Sequence, residues 1–98
     1  MTTQPLKVGV YGASGYAGQD LVELLAEHPS VELVFATSNT FAGQPVPGTN
    51  LCYVPSEEAD PGQVDAVFLA LPHGVSARMA ARSAEAGASV IDLSADLR

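Results

Sequence analysis

Three glycines at every third position, placed where a short apolar run meets a helical pattern, constrain this sequence more than any other feature. Residues 10–18 read V-Y-G-A-S-G-Y-A-G, with glycine at positions 12, 15 and 18. Gly12 is predicted to permit a tight turn, Gly15 to let a diphosphate approach the backbone, and Gly18 to let the helix pack close to the strand. The free N–H groups and the dipole at the start of such a helix favour an anion by about 0.3–2 kcal/mol beyond the hydrogen bonds. The segment can therefore hold phosphate without a basic side chain.

Apolar runs with strand character recur on both sides of this turn. They predict four strands, at Lys7–Tyr11, Val31–Ala36, Asp65–Leu71 and Ser89–Leu93. The third run is almost continuously apolar, as expected for a strand that helices cover on both faces. The sequence therefore predicts a buried sheet.

Two helices are predicted between these strands. The first spans Gly15–His28 and is stopped by Pro29. Its apolar residues fall on one face at helical spacing: Ala17, Leu21, Leu24 and Leu25. The second helix is predicted to end at Gly87, which suits a C-terminal cap. Its buried face is predicted to consist of Val75, Met79, Ala80 and Ser83.

Strands that alternate with helices are usually parallel, because a parallel connection has to cross the sheet. The predicted fold class is therefore α/β, a Rossmann-like parallel sheet of four main strands with flanking helices. The expected strand order is second, first, third, fourth, with a dinucleotide crossing between the first and third strands. Residues 38–64 interrupt the alternation with four prolines and three glycines. They are predicted to form a long ordered loop over the sheet edge between strands 2 and 3, with only Asn50–Val54 extended.

Composition excludes several classes of protein. The 98 residues are enough for one domain, residues 1–98, with a small core. A formal net charge of -7 repels nucleic-acid phosphates, so no nucleic-acid partner is expected. One cysteine cannot form an intramolecular disulfide, and the sequence shows neither a membrane-length apolar stretch nor a signal peptide. A cytoplasmic protein without a membrane partner is expected.

Two interpretations of the glycine turn remain open. The turn either binds the diphosphate of a dinucleotide or only allows the helix to pack closely. A preceding strand, a following helix and a second strand that ends about 20 residues later favour dinucleotide binding. The predicted diphosphate site, in which the Ser14 hydroxyl adds a donor, comprises Gly12, Ser14, Gly15, Tyr16, Ala17 and Gly18.

The residues that follow the second strand indicate which nucleotide is bound. NAD-preferring sites place an acid there to bind the ribose 2′-hydroxyl. Positions 36–40 read A-T-S-N-T, with no carboxylate and no basic residue. Thr37, Ser38 and Asn39 offer neutral donors to a 2′-phosphate, so NADP is predicted in preference to NAD. The alternative is that this cluster is an ordinary turn sequence.

Three segments together resemble the signatures of a known family. They are Gly12–Gly18, Ala70–Gly74, which reads A-L-P-H-G, and Asp92–Arg98, which reads D-L-S-A-D-L-R. They resemble the N-acetyl-γ-glutamyl-phosphate reductases of arginine biosynthesis and the related lysine-pathway reductases of carrier-linked aminoadipate or glutamate phosphates. The sequences F-A-G-Q-P-V at 41–46 and T-N-L at 49–51 are similar to the carrier-linked branch. The first segment alone also fits aspartate-semialdehyde dehydrogenases.

This resemblance implies an oxidoreductase that uses NADPH to convert an acyl phosphate to a semialdehyde, as a homo-oligomer. In the family, a cysteine thiolate displaces phosphate, hydride reduces the resulting thioester, and a histidine handles protons. Both residues lie in a catalytic domain beyond the third signature, so no catalytic residue is assigned here and the chain alone is expected to be inactive. The alternatives are an aspartate-semialdehyde-dehydrogenase-like enzyme and a non-catalytic nucleotide-binding module.

Several other residues carry reactive or potentially functional side chains. Cys52 has no histidine nearby in sequence and is interpreted as a small buried hydrophobe. The loop after the third strand is predicted to contact the cofactor through Leu71, Pro72, His73 and Gly74, with His73 as a cofactor-proximal or structural residue. After the fourth strand, framing of the nicotinamide and local capping stay equal alternatives for Asp92, Ser94, Asp96 and Arg98. No metal site is predicted.

Overall fold

The computed structural model describes residues 5–71 and 73–93, with His73 described by its backbone only. Its strands are β1 (Leu6–Tyr11), β2 (Val31–Ala36), β3 (Ala66–Leu69) and β4 (Ser89–Asp92). Its helices are α1 (Tyr16–Glu27) and α2 (His73–Glu85), and a short 3-10 turn spans Pro61–Gln63. The four predicted strands and two predicted helices are confirmed, although β3 is shorter than the predicted run.

The four strands form one parallel sheet in the order β2-β1-β3-β4. This order confirms the predicted Rossmann-like α/β topology. β1 is central, because it pairs with β2 on one side and with β3 on the other. The crevice beyond the carboxyl ends of β1 and β3 is the switch point at which open parallel sheets bind their ligands. The glycine turn leaves β1 at this point.

The side chains of β1 alternate between two cores. Val8 and Val10 pack with Val22 of α1, whereas Tyr11 packs with Met79 of α2. Successive side chains of a strand point to opposite faces of the sheet. The two helices therefore cover opposite faces, and β1 is buried between them.

Gly9 makes room for an aromatic ring in the α2-side core. It pairs with Phe35 across β1 and β2, and a Cβ atom at Gly9 would overlap the Phe35 ring. That ring in turn meets Tyr11 edge-on, with ring centroids 5.2 Å apart and an interplanar angle of 69°. The missing side chain at Gly9 thus lets one ring lie across the central strand.

The buried face of α1 differs from the predicted one. Gly18, Val22 and Leu25 are buried, whereas Leu24 is 68% exposed. Of the predicted face, only Leu25 is fully buried, while Ala17 and Leu21 are half-buried. The prediction was therefore wrong for Leu24, because the close approach of Gly18 to the turn, and not the apolar side chains alone, decides which face meets the sheet.

The buried face of α2 also differs in part. Met79 and Ser83 point inward and Ala80 packs against the same core, as predicted. Val75, however, is 38% exposed, and the fully buried neighbour is Ser76, which donates a hydrogen bond to Asp92 at 2.9 Å. Because its hydroxyl has an acceptor inside the fold, a serine occupies a position that hydropathy assigns to valine.

The end of α2 matches its prediction. Gly87 has a φ of +92°, the left-handed conformation that glycine adopts without strain. Its N–H donates to the carbonyl of Ala84 at 3.0 Å, and the N–H of Ala88 donates to Ser83 at 3.1 Å. These two bonds satisfy carbonyl groups at the helix end, so the predicted glycine cap is confirmed.

The long connection after β2 is an ordered loop along the edge of the sheet, as predicted. Thr37 forms a parallel bridge with Val54, so the loop extends the sheet beside the end of β2. The N–H of Gly43 donates to Tyr53 at 2.8 Å and the N–H of Val46 donates to Leu51 at 2.9 Å, which closes a narrow hairpin. Val46 and Tyr53 are buried against α1. The predicted extended piece is therefore present near 52–54.

The structure bears on the interpretation of Cys52 and on metal binding. Cys52 is exposed, so its interpretation as a buried hydrophobe was wrong. It pairs with Pro45 through the backbone, and its neighbour Tyr53 is the residue that turns into the core. In the part of the chain that the structure describes, no three His, Cys, Asp or Glu residues are placed to hold a metal ion.

Tyr11 is a buried ionisable group in the α2-side core. Its side chain is fully buried, and its hydroxyl lies near that of Ser83, although neither hydroxyl forms a well-aligned hydrogen bond among the described residues. Burial raises the pKa of the Tyr11 phenol above its ordinary value of 10.0, and the positive charge of Arg82 partly opposes this shift. The phenol therefore stays protonated at neutral pH, because its ionised form would be poorly solvated.

The raised pKa of Tyr11 predicts a loss of stability at high pH. The native state holds the phenol proton where the unfolded state releases it, so the free energy of unfolding falls as pH rises through 10.0. Tyr11→Phe removes this pH dependence, and it should be at least as stable as the parent at pH 7 because the buried hydroxyl makes no well-aligned hydrogen bond. Urea denaturation at pH 7 and at about pH 11 measures both effects. An equally steep loss in Tyr11→Phe would contradict the assignment.

Candidate functional site

Two of the three glycines in the turn are required by the fold itself. Gly12 has a φ of +77°, and a Cβ atom there would overlap the carbonyl oxygen of Ala70. A Cβ at Gly18 would overlap the carbonyl oxygen of Gly12 and lie 2.8 Å from the Cα of Ala13. Both predicted structural roles, the tight turn and the close helix packing, are confirmed.

Gly15 has no such internal reason to be glycine. Its φ is -75°, an ordinary value for any residue, and it is exposed. A Cβ atom there would meet one atom of the described residues, the Gly12 carbonyl oxygen at 3.8 Å, which is a normal contact. The packing-only interpretation therefore accounts for Gly12 and Gly18 but leaves Gly15 unexplained.

The start of α1 presents free backbone donors beside Gly15. The helix ladder begins with the N–H of Gln19, which donates to Gly15 at 2.8 Å. Among the described residues, the N–H groups of Tyr16, Ala17 and Gly18 have no acceptor, and no side chain caps this end. The first turn contains no acidic residue, and the Tyr16 side chain is 96% exposed. An anion can therefore approach these donors without displacing a protein group.

Thr37 holds the glycine turn in place from the end of β2. Its carbonyl oxygen accepts from the N–H of Ala13 at 2.8 Å, and its hydroxyl oxygen accepts from the N–H of Gly12 at 3.1 Å. The Ser56 hydroxyl is also 3.3 Å from the Thr37 hydroxyl. Thr37 is fully buried, so it supports the turn from below and does not face a ligand as the predicted donor role requires.

A serine pair closes the gap between the glycine turn and the loop after β2. The Ser14 hydroxyl donates to the Ser38 hydroxyl at 2.9 Å, and the Ser38 oxygen also accepts from the N–H of Phe41 at 3.0 Å. Ser38 is buried and Ser14 is half-buried. The two predicted site residues therefore lie together where the glycine turn meets the loop after β2.

Asn39 is exposed and has a defined side-chain orientation. Its Oδ1 accepts from the N–H of Ser56 at 3.0 Å. The atom that faces this N–H has to be the acceptor, so the amide nitrogen is the end of Asn39 left to donate to another group. The loop after β2 thus presents one oriented neutral donor at the predicted ribose position.

The loop after β3 is described in part. Leu71 is half-buried and packs against the α2-side core, and Gly74 is exposed with open space around its Cα. The backbone of His73 begins α2. Pro72 lies outside the described residues, and so do Ser94, Asp96 and Arg98 after β4. The described part of this loop follows the carboxyl end of β3, next to the glycine turn.

The structure also shows residues that the sequence analysis missed. Ser56 contacts both Thr37 and Asn39, and Arg82 of α2 donates to the carbonyl groups of the segment that contains Ser56. Ser56 lies 17 positions from Asn39 in the proline-rich loop, and no local pattern signals such a contact. These hydrogen bonds exist only because the fold brings α2 and this loop together.

A separate groove lies on the α1 face. Its volume is about 430 Å³, and it runs between α1 and the hairpin, with Val22, Val46 and Tyr53 on its floor and Asp20, Glu23 and Glu27 on its rim. None of the predicted site residues lines it. The free N–H groups lie at the crevice beyond the carboxyl ends of β1 and β3, and the oriented side chains follow the neighbouring strand β2, so this crevice is the candidate site.

Comparison with known proteins identifies related sequences. Residues 7–98 match the family model described as "Semialdehyde dehydrogenase, NAD binding domain". A protein of Aeropyrum pernix with the provisional name LysW-L-2-aminoadipate/LysW-L-glutamate phosphate reductase is 45% identical over 95% of this chain and 29% of its own length. The N-acetyl-gamma-glutamyl-phosphate reductase of Moorella thermoacetica is 43% identical over 95% of this chain and 30% of its own length. The chain thus spans less than a third of these relatives.

Solved structures share the fold. Aspartate semialdehyde dehydrogenase II of Vibrio cholerae superposes with a TM-score of 0.80 at 31% identity, over 91% of this chain and 28% of that protein. The aspartate semialdehyde dehydrogenase of Candida albicans, solved with NADP, superposes with a TM-score of 0.76 at 26% identity, over 91% and 29%. The sheet and helices described above are therefore those of a nucleotide-binding domain in this group of enzymes.

The two kinds of glycine in the turn predict opposite outcomes for alanine substitutions. Gly18→Ala should lower the free energy of unfolding by about 2 kcal/mol or more, because its Cβ meets backbone atoms that cannot move independently. Gly15→Ala should lower it by no more than about 1 kcal/mol, since the added atom has room and only the weaker preference of alanine for the N-cap position opposes it. Urea denaturation of both variants measures the difference. Equal destabilisation by the two substitutions would show that Gly15 also has a packing role.

The anchoring role of Thr37 predicts a specific sensitivity to loss of its hydroxyl. Thr37→Val keeps the shape but leaves the N–H of Gly12 without an acceptor, so it should cost about 1–3 kcal/mol of stability. Thr37→Ser retains the hydroxyl and is the matched control. Denaturation curves of the two variants should separate clearly, and a valine variant as stable as the serine variant would contradict the anchor.

Proposed function

Because this chain belongs to the family of semialdehyde dehydrogenase NAD-binding domains, we propose that it binds a nicotinamide dinucleotide with the diphosphate against Gly15. The observation that carries the proposal is the open space at Gly15, the one glycine of the turn that the fold does not need. A ligand whose phosphate lies against the backbone accounts for the missing side chain. The free N–H groups that follow provide the hydrogen bonds.

The residues around the crevice fit such a ligand. The amides of Tyr16, Ala17 and Gly18 face the diphosphate with the positive end of the α1 dipole behind them. Gly12 keeps the turn tight, and the Ser14 hydroxyl beside it becomes a further donor once it turns from Ser38 to the phosphate. No positive side chain is needed, because the neutral N–H groups at a helix start bind phosphate oxygens well.

The finer proposal is that the dinucleotide is NADP. No carboxylate follows β2 to accept from a ribose 2′-hydroxyl or to repel a 2′-phosphate. Asn39 presents its amide nitrogen, because its oxygen accepts from the N–H of Ser56. The oxygens of a phosphate can accept a hydrogen bond from this nitrogen. The Ser38 hydroxyl lies on the same loop. A relative of the same fold was solved with NADP, which supports this choice.

The nicotinamide is proposed to lie near the loop after β3, formed by Leu71, Pro72, His73 and Gly74. When bound, the cofactor supplies a hydride. The exposed Gly74 at the start of α2 leaves room for a ligand to approach the backbone. Leu71 packs against the α2-side core and supports the loop from below. The chain's own contribution is to bind and orient the dinucleotide.

For the whole protein we propose an NADPH-dependent reductase of an acyl phosphate. Relatives at 41–45% identity carry the names N-acetyl-gamma-glutamyl-phosphate reductase and LysW-linked phosphate reductase. An aspartate-semialdehyde-dehydrogenase-like activity is the second candidate, supported by the shared fold at 31% identity. The catalytic cysteine and histidine are proposed to lie outside these 98 residues. The 98 residues are thereby proposed to be one nucleotide-binding domain.

Partner and location proposals follow from the same assignment. The partners are proposed to be a small acyl phosphate, free or carrier-linked, and further copies of the full-length chain. A cytoplasmic location remains part of the proposal. In the described ranges, 5–71 and 73–93, no helix is both long and apolar enough to cross a membrane.

Calorimetric titration of the chain with NADP⁺ and NAD⁺ tests nucleotide binding directly. Saturable binding is expected, tighter for NADP⁺ than for NAD⁺. Gly15→Leu should weaken it at least about tenfold, because the new side chain fills the space of the diphosphate, and should lower stability by only about 1 kcal/mol through the poorer N-cap.

Ala84→Leu, at an exposed position of α2 away from the turn, is the matched control and should bind as the parent does. The absence of saturable heat at millimolar nucleotide would remove the proposal. Unchanged affinity in Gly15→Leu would remove the diphosphate pose.

A further inference from the structure

The Arg82 side chain of α2 hydrogen-bonds to the main-chain carbonyl groups of one segment of the long loop. Its guanidinium donates to the carbonyl oxygens of Ser56 at 3.3 Å, Glu57 at 3.2 Å and Ala59 at 3.1 Å. It also approaches the Glu57 carboxylate at 3.5 Å. A planar guanidinium can satisfy several acceptors at fixed angles at once. Arg82 therefore defines the path of residues 56–59.

This segment determines how Asn39 is oriented. The N–H of Ser56 donates to Asn39 Oδ1 at 3.0 Å, and the carbonyl of the same Ser56 accepts from Arg82 at 3.3 Å. Asn39 is exposed and lies on the loop after β2. A continuous set of hydrogen bonds thus connects a helix on one face of the sheet to the residue proposed to meet the ribose.

We propose that Arg82 is a positioning residue that sets the preference of this site for NADP over NAD, acting through Ser56 on Asn39. The inference rests on the proposed nucleotide-binding function. While Ser56 occupies the oxygen of Asn39, the amide presents only N–H donors, which suit a phosphate. Once the segment shifts, the amide can rotate and present its oxygen, which suits a hydroxyl. The ratio of the two affinities therefore depends on Arg82.

The charges around this segment also favour NADP over NAD. The segment carries two acids, Glu57 and Glu58, and the Glu57 carboxylate is paired with Arg78 at 3.5 Å and with Arg82 at 3.5 Å. Two guanidinium groups offset its negative charge, so the repulsion of a 2′-phosphate is reduced. Arg78 differs from Arg82 in one useful way, since its contact given by the structure is to the side chain of Glu57 alone.

Arg82→Lys and Arg78→Lys form a matched pair that separates main-chain positioning from charge. Both variants keep the positive charge, but only Arg82→Lys removes the guanidinium that hydrogen-bonds to three carbonyl oxygens. Calorimetry of the 98-residue chain with NADP⁺ and NAD⁺ gives the affinity ratio for each variant. Arg82→Lys should lower the NADP-to-NAD ratio about fivefold or more, and Arg78→Lys should leave it within about twofold. Partial unfolding would lower both affinities and leave the ratio unchanged.

Asn39→Ala is the second variant of the test, and it tests the inference by itself if Arg82→Lys fails to fold. It should lower the ratio by itself, and Arg82→Lys should then add little in the double variant, because both act on one group. An unchanged ratio in Arg82→Lys or in Asn39→Ala would overturn the inference. Independent, additive effects in the double variant would also overturn it. Failure of the parent chain to bind either nucleotide would refute the proposed function itself, whereas binding with an Arg82-independent ratio refutes only this inference.

Discussion

The buried pairing of Thr37 with the glycine turn is the interaction on which the site depends. One residue at the end of β2 uses its carbonyl and its hydroxyl to accept from two successive N–H groups, those of Ala13 and Gly12. This pairing fixes the turn relative to the neighbouring strand, so the start of α1 points its own N–H groups into the crevice. The donors that face a ligand are free because other atoms hold the turn.

The local part of this architecture could be predicted from sequence because its signals are local. Gly12 and Gly18 serve the turn and the helix contact, as their spacing after an apolar run indicates. The alternation of strands and helices similarly led to the observed order β2-β1-β3-β4. Gly87 could be assigned as a cap for the same reason, since left-handed backbone conformations select glycine.

The parts that could not be predicted depend on contacts between distant segments. Hydropathy placed Leu24 and Val75 inward, but the small residues Gly18 and Ser76 are the buried ones on these helix faces. Cys52 was misplaced because the strand-like segment that contains it turns Tyr53 and not the thiol into the core. In each case apolarity was a weaker determinant of burial than the geometry of close packing.

The polar network around the site shows the same dependence on tertiary structure. Asn39 is recognisable in sequence as a turn residue, but its orientation comes from Ser56. Ser56 is in turn held by Arg82 from a helix on the other side of the long loop. Thr37 was predicted to face the ligand and is instead buried beneath the turn. Sequence patterns thus located the crevice, whereas only the fold separates residues that face it from those that support it.

An amide-resolved NMR titration of the chain with NADP⁺ measures the central claim most directly, because it reports each backbone N–H separately. If the diphosphate lies against Gly15, the largest shifts should occur at the N–H groups of residues 14–18, with Asn39 following. Shifts confined to the groove between α1 and the hairpin, with the N–H groups of Gly15 and Tyr16 unmoved, would contradict the account.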